Sequence, residues 1–383
     1  MTAVAARVAG APISWGVCEV PGWGRQLDPA TVLEQMREVG LTATELGPTG
    51  FLPDAPSDKA ATLATYGLAA VAQFAPVVLH DPAVDPVPQV EKVIDGLIAC
   101  GATTLVLAAA TGVDGYELRP TLDDAGWATL LGNLDRLADR AAERGVVATL
   151  HPHVGTLVES GDDTDRVLAG SRIGLTLDTG HLLIGGGDPV RVAVEHPDRI
   201  THVHLKDVSL ALARRVQAGE LGYRDAVEQG LYVPLGDGDV DLAAIVKSLQ
   251  AQGYSGWYVL EQDRVLGAAG AEGSGEWAPA APTRSPARTY GAAWRTCCRW
   301  STARRPAPAR PRRERGPVRP RRDGAHGGRH LPAAARRAAG AGAHVREVPR
   351  RERDQRGGRR GPARSSRRPG HAHRRRRVRP LRA

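Results

Sequence analysis

RIGLTLDTGH, residues 172–181, runs alternating apolar residues into an Asp and a His, and RITHVHLKD, residues 199–207, does the same with two His and a Lys. In an extended strand alternate side chains share a face. Thr176 and Asp178 therefore oppose Leu175 and Leu177, while His202, His204 and Lys206 oppose Val203 and Leu205. Each stretch reads as a buried strand whose C-terminal end carries polar groups. Six further β-rich runs can be read outward from these two: PISWG (12–16), TATELG (42–47), AAVAQFAPVVL (69–79), TTLVLAAA (103–110), VVATLHPH (146–153) and GWYVLEQD (256–263).

Between these runs lie amphipathic helical patterns. ATVLEQMREVG (30–40) is one; WATLLGNLDRLADRAAERG (127–145) sets Leu130, Leu134, Leu137 and Ala141 on one face and places Gly145 to end the helix. Asp188 followed by Pro189 reads as an N-cap with proline at the first helical position, so the preceding GGG (185–187) is a turn. Alternating strand and helix implies parallel pairing with right-handed crossovers. Eight such units in about 250 residues predict an α/β fold, a (β/α)8 TIM barrel. No G-x-G-x-x-G follows the first strand, which removes the usual dinucleotide reading. The segment 209–240 is longer than a plain loop and is expected to act as a lid or binding loop.

The net charge of +9 over 383 residues conceals two unlike halves. Residues 1–266 carry 19 Lys and Arg against 35 Asp and Glu, whereas 267–383 carry 32 Arg, no Lys and 7 acids. The predicted domains are a barrel over 1–266 and a disordered, low-complexity Arg/Pro/Ala/Gly tail over 267–383, which lacks Ile, Phe and Met altogether. Its composition resembles a G+C-rich gene read out of frame, and no clear helix follows the eighth strand to close the barrel. Arg-rich disorder binds nucleic-acid phosphates, which gives a non-enzyme alternative: nucleic-acid binding through the basic tail. The acidic body speaks against a specific nucleic-acid partner. No apolar run reaches the roughly 18–20 residues of a membrane span. Four cysteines, two of them the adjacent Cys297 and Cys298, make neither a disulfide framework nor a metal knuckle, so a reducing, cytoplasmic setting is expected.

Polar residues converge at the ends of strands five to eight: His151 and His153, Asp178, His204 with Lys206, and Glu261. Barrel enzymes build their sites at that rim. Mixed imidazole and carboxylate donors suit Mn2+, Co2+, Zn2+ or Fe2+ and argue against Ca2+. Glu45 at the end of TATELG could hydrogen-bond a sugar hydroxyl or cap a helix, and Trp15 could offer an apolar wall to a ring or pack in the core.

LDTGHLLIGGGDP (177–189), RITHVHLKDV (199–208), PLGDGDVD (234–241) and GYSGWYVLEQD (253–263) together resemble the xylose-isomerase-like barrels of the sugar phosphate isomerase/epimerase group. APISWG (11–16) and LHPHVGTLVE (150–159) narrow the likeness to the inosose dehydratase branch, over about 11–263. The resemblance implies a divalent metal, Mn2+ or Co2+ first, held by Asp178, His204 and Glu261. A fourth ligand is implied at His151, where relatives carry Glu, with Glu159 as its rival. It further implies a substrate-contacting His181 and a metal-dependent dehydratase, a carbon–oxygen lyase acting on an inosose-type polyhydroxy ketone through an enediolate. A ketose or sugar phosphate isomerase or epimerase is the alternative on the same barrel. Lys206 is the expected base, through repulsion from the cation, with His181 or His153 as acid; a salt bridge from Lys206 to Asp207 or a neighbouring carboxylate is the competing reading. Glu45, Trp15 and His153 are the expected substrate contacts. The expected partners are the small ketone and further copies of the chain, with no membrane.

Overall fold

The computed structural model describes residues 7–113 and 115–267. The tail beyond Gly267, with Cys297, Cys298 and the question of a closing helix, lies outside the described residues. The strands are β1 Val8–Gly10, β2 Ala43–Thr44, β3 Ala69–Ala70, β4 Ala72–Val78, β5 Thr104–Ala110, β6 Val147–Leu150, β7 Gly174–Asp178, β8 Ile200–Leu205, β9 Asp207–Val208, β10 Tyr232–Val233 and β11 Tyr258–Leu260. Nine of them form one parallel sheet in the order β3-β2-β1-β11-β8-β7-β6-β5-β4. β3 and β4 are one strand interrupted at Val71: its first part pairs β2 and its second pairs β5. The sheet thereby returns on itself as the TIM barrel read from the sequence.

Helices α1 Pro29–Glu38, α2 Pro56–Thr65, α3 Val87–Ala99, α4 Asp124–Glu143, α5 Gly161–Gly170, α6 Thr179–Ile184, α7 Pro189–Glu195, α8 Leu210–Gln217, α9 Tyr223–Glu228 and α10 Leu242–Ala251 fill the connections. α4 buries the stripe Leu130, Leu134, Leu137 and Ala141, and Gly145 follows it with φ 73°. α7 starts as expected: the Asp188 carboxylate accepts the Val190 and Arg191 N–H groups, with Pro189 at the first position. The larger core lies between the outward faces of the strands and these helices. Inside the barrel the packing is dominated by small side chains, Ala9, Ala11, Ala43 and Ala72, with Val71, Val106 and Val259. That leaves room above them for large polar side chains.

The first strand is displaced from its expected place. It is Val8–Gly10, and Pro12–Trp15 is a 3-10 turn. Pro12 has no N–H to give a ladder and its fixed φ suits the start of a helical turn; a five-residue apolar run does not distinguish the two. The long segment after β8 is ordered structure: α8, α9 and the β9–β10 antiparallel pair.

Candidate active site

Register brings the rim residues together. Asp178 at the end of β7 stands opposite His204 on β8, and His204 is level with Val259 on β11, one strand further round. Glu261 follows two residues later on the same face. A register shift between Leu175 and Thr176 sets Thr176 opposite His202 and Asp178 opposite His204, which aligns the polar faces. Thr179 ties the two strand tops: its hydroxyl accepts the Lys206 N–H at 2.9 Å and donates to the Lys206 carbonyl at 2.6 Å.

Asp178 is divided between two tasks. Its Oδ1 accepts the Gly180 and His181 N–H groups at the start of α6. Its Oδ2 faces the barrel axis, 3.1 Å from His151 Nε2, 3.3 Å from Lys206 Nζ and 3.5 Å from His204 Nδ1. Glu261 Oε2 comes to the same place, 3.2 Å from His204 Nδ1 and 3.1 Å from Lys206 Nζ. Asp263, one alternation further, receives Lys206 at 2.9 Å. On the other side of His204, Nε2 lies 2.9 Å from Glu45 Oε1, which holds His202 Nε2 at the same distance.

The charges shift one another. Burial alone would lower the basicity of Lys206, but Asp178, Asp263 and Glu261 outweigh it and hold the ammonium well above the usual lysine range. The structure therefore presents Lys206 as an ammonium between three carboxylates and not as the free amine of a base. Its ion pairs go to those three carboxylates and not to Asp207, whose carboxylate is taken up by the N–H groups of Val208, Gly236, Gly238 and Val240. Burial likewise works against a charged His204, yet Glu261 and Glu45 raise it well above the ordinary imidazole value. Asp178 and Glu45, though buried, are held low, chiefly by Lys206 and by His204 respectively. His153 and His181 are pushed well below the usual imidazole value, first by burial.

The cavity above this cluster is lined by Glu45, His151, His153, His204, Lys206, Glu261 and Asp263, with apolar walls from Trp23, Phe74, Tyr116 and Tyr223. Its volume is about 60 Å³. Tyr116 donates to Glu19 across the rim. His153 donates Nδ1–H to the Val154 carbonyl at 2.7 Å, which leaves the Nε2 lone pair.

Three expected site residues sit elsewhere. Trp15 is fully buried, and its indole N–H donates to Gln35 Oε1 at 2.9 Å; it packs in the core and does not line the cavity. His181 lies beneath His153, ring centroids 3.7 Å apart, and touches Tyr232 and Asp263 rather than the cavity. Glu159 accepts the Gly155 N–H at 2.7 Å, outside the cluster. Glu45 meets two imidazoles in place of a helix end. Sequence reasoning missed Asp263, two positions past Glu261 in the same alternation and so within reach of the rule that found Glu261. It also missed Trp23, Tyr116 and Tyr223, which come from segments without periodicity.

The donor set fits a divalent cation. His204 Nδ1 and His151 Nδ1 are buried without hydrogen-bond partners, and His151, Asp178 and His204 can bring one ligand atom each within 4.8 Å of one another. No helix among the described residues is long and apolar enough to cross a membrane.

Residues 33–281 match the family described as xylose isomerase-like TIM barrel. Among curated proteins, the chain is 35% identical over 269 residues to the rhizopine catabolism protein MocC of Rhizobium meliloti, covering 67% of this chain and 82% of that one. It is 32% identical over 271 residues to the inosose dehydratase of Geobacillus kaustophilus strain HTA426, covering 67% and 87%. Among solved structures, the IOLI protein, crystallised with a bound zinc atom, superposes with a TM-score of 0.50 at 16% identity, covering 67% of this chain and 89% of that one.

Proposed function

Since the chain belongs to the xylose isomerase-like TIM-barrel family, we propose that it is a metal-dependent dehydratase that removes water from an inosose-type polyhydroxy ketone. It is an enzyme, and the lyase reading is preferred on its similarity to inosose dehydratases, with an isomerase or epimerase as the alternative on the same barrel. The observation that carries the metal centre is the convergence of Asp178 Oδ2 and Glu261 Oε2 on His204 Nδ1, a buried nitrogen with no hydrogen bond of its own. Asp178, His204 and Glu261 would hold the cation, with His151 as fourth ligand; Mn2+ or Co2+ is the first choice and Zn2+ or Fe2+ the second. Such a cation supplies Lewis acidity, lowering the cost of negative charge on the ketone oxygen and its neighbour.

The remaining steps fall to the side chains on the cavity. The Nε2 lone pair of His153 takes the proton from the carbon beside the ketone, and an enediolate results. Lys206, an ammonium, steadies the developing charge and donates a proton to the departing β-hydroxyl. This exchanges the roles expected from sequence: without metal three carboxylates hold Lys206 as an ammonium, and Asp263, which is outside the cation's proposed ligand set, lies 2.9 Å from Nζ. Trp23, Phe74, Tyr116 and Tyr223 exclude water and face the C–H surface of a ring. Free Cys18 and Cys100 accord with a reducing, cytoplasmic setting.

The test is mass spectrometry of inosose incubated with chain reconstituted in Mn2+ or Co2+. A product lighter by one water, absent after chelation, is expected. A product of unchanged mass would move the assignment to an isomerase or epimerase.

A further inference from the structure

Glu45 reaches the site from the end of β2, on the opposite wall of the barrel from Asp178. It is 3% exposed, and one of its oxygens, Oε1, lies 2.9 Å from both His202 Nε2 and His204 Nε2. A carboxylate oxygen only accepts, so both imidazoles donate Nε2–H to it. Nδ1 of His204 then faces away from Glu45, toward Glu261 Oε2 at 3.2 Å and Asp178 Oδ2 at 3.5 Å, with no hydrogen-bond partner of its own. His202 Nδ1 is also buried without a partner, and the two rings stand at 75° to each other. The ring of His202 thus braces the carboxylate from the side that His204 does not occupy.

We infer that Glu45 is a positioning residue for the metal centre: it fixes the tautomer and ring orientation of His204 so that Nδ1 is offered to the cation, and His202 holds Glu45 in place. Glu45 is on this view neither a sugar contact nor a ligand. A carboxylate behind a metal-binding imidazole does this work generally, and its loss costs about 10–100-fold in metal affinity. The inference rests on the metal reading above. The competing arrangement uses the same atoms: Glu45, His202 and His204 can also bring ligand atoms within 4.8 Å of one another, which would make a second ion site with His204 bridging the two.

Co2+ binding to the full chain separates these, followed by calorimetry and by the visible absorption of bound cobalt, for the native protein, Glu45→Leu and Glu45→Gln. The expected result is one ion per native chain, an affinity about 10–100-fold weaker in Glu45→Leu with an altered cobalt spectrum, and near-native affinity and spectrum in Glu45→Gln, whose amide oxygen still accepts. Circular dichroism of the metal-free variants controls for folding, and Glu45→Gln carries the test if Glu45→Leu does not fold. Unchanged affinity in Glu45→Leu would overturn the inference. So would two ions per native chain with one lost in Glu45→Gln, since an amide is a poor ligand. Native protein that takes up no Co2+ would overturn the metal reading itself, and this inference with it.

Discussion

Replacing Lys206 with methionine keeps the volume of the side chain and removes its charge. The ammonium lies 2.9 Å from Asp263 Oδ1, 3.1 Å from Glu261 Oε2 and 3.3 Å from Asp178 Oδ2, and is 2% exposed. Deleting one partner of a buried ion pair costs about 3–5 kcal/mol, because the opposite charge is stranded; here three carboxylates are stranded together. Set against a domain margin of about 5–15 kcal/mol, and at about 2–4 °C per kcal/mol for a domain this large, the melting temperature without metal should fall by roughly 6–20 °C. Two of the oxygens that hold the ammonium are those assigned to the cation. In native protein the cation competes with Lys206 for them; in Lys206→Met it does not. The expected result of differential scanning calorimetry is therefore a large destabilisation in chelator and a larger rise on adding Mn2+ or Co2+ than in native protein, where a cation at a hundred times its Kd gives about 2.7 kcal/mol. A variant as stable as native protein in chelator, or one that gains less from metal, would refute this charge balance.

Other outcomes follow from the same structure. Trp15→Phe removes the bond to Gln35 inside a packed core and should cost about 1–3 kcal/mol in urea unfolding while leaving KM unchanged; a raised KM would return Trp15 to the substrate. Asp207→Ala strands the N–H groups of Gly236, Gly238 and Val240, with an expected cost of about 2–4 kcal/mol by the same assay. Gly238→Ala should resemble it, because a Cβ there collides with the Asp207 carboxylate. Acidification should destabilise the metal-free protein below about pH 6.5, the ordinary imidazole value. His153 and His181 are held below that value when folded, so the unfolded chain binds their protons first, and stability present at neutral pH is lost as pH falls toward the folded values. Each contributes up to about 1.4 kcal/mol per pH unit in that window; His204, raised in the folded state, adds stability only above it, as pH falls from its raised value toward the ordinary one, and has no slope below. Melting temperatures at pH 7.5 and 5.5 check the direction.

The site was legible where it is carried by strands. The period of two along β7 and β8 puts Asp178, His202, His204 and Lys206 on one face without any knowledge of the fold, and the parallel order then places their ends side by side. What crosses the barrel was not legible. Nothing near TATELG announces that Glu45 meets two histidines more than 150 positions later, because that contact is set by closure of the sheet and not by local pattern. The ion pairs of Lys206 go to three carboxylates gathered from β7 and from the end of β11, partners that a rule applied to Lys206 and a nearby cation alone does not supply. Trp23 and Tyr223 each meet Tyr116 edge to face over the cavity and are tilted 35° to each other; they come from two loops and the first residue of the short α9, which carry no period to betray them. The shift of the first strand has a humbler cause: VAG at 8–10 is too short and too small to stand out beside PISW.

The central claim is a single divalent cation at the floor of the cavity, and anomalous diffraction at the cobalt edge from crystals of the Co2+-loaded chain tests it most directly. The expected map has one peak per chain, about 2.0–2.2 Å from Asp178 Oδ2, His204 Nδ1 and Glu261 Oε2. A peak at another place, or none at that point, would contradict the account.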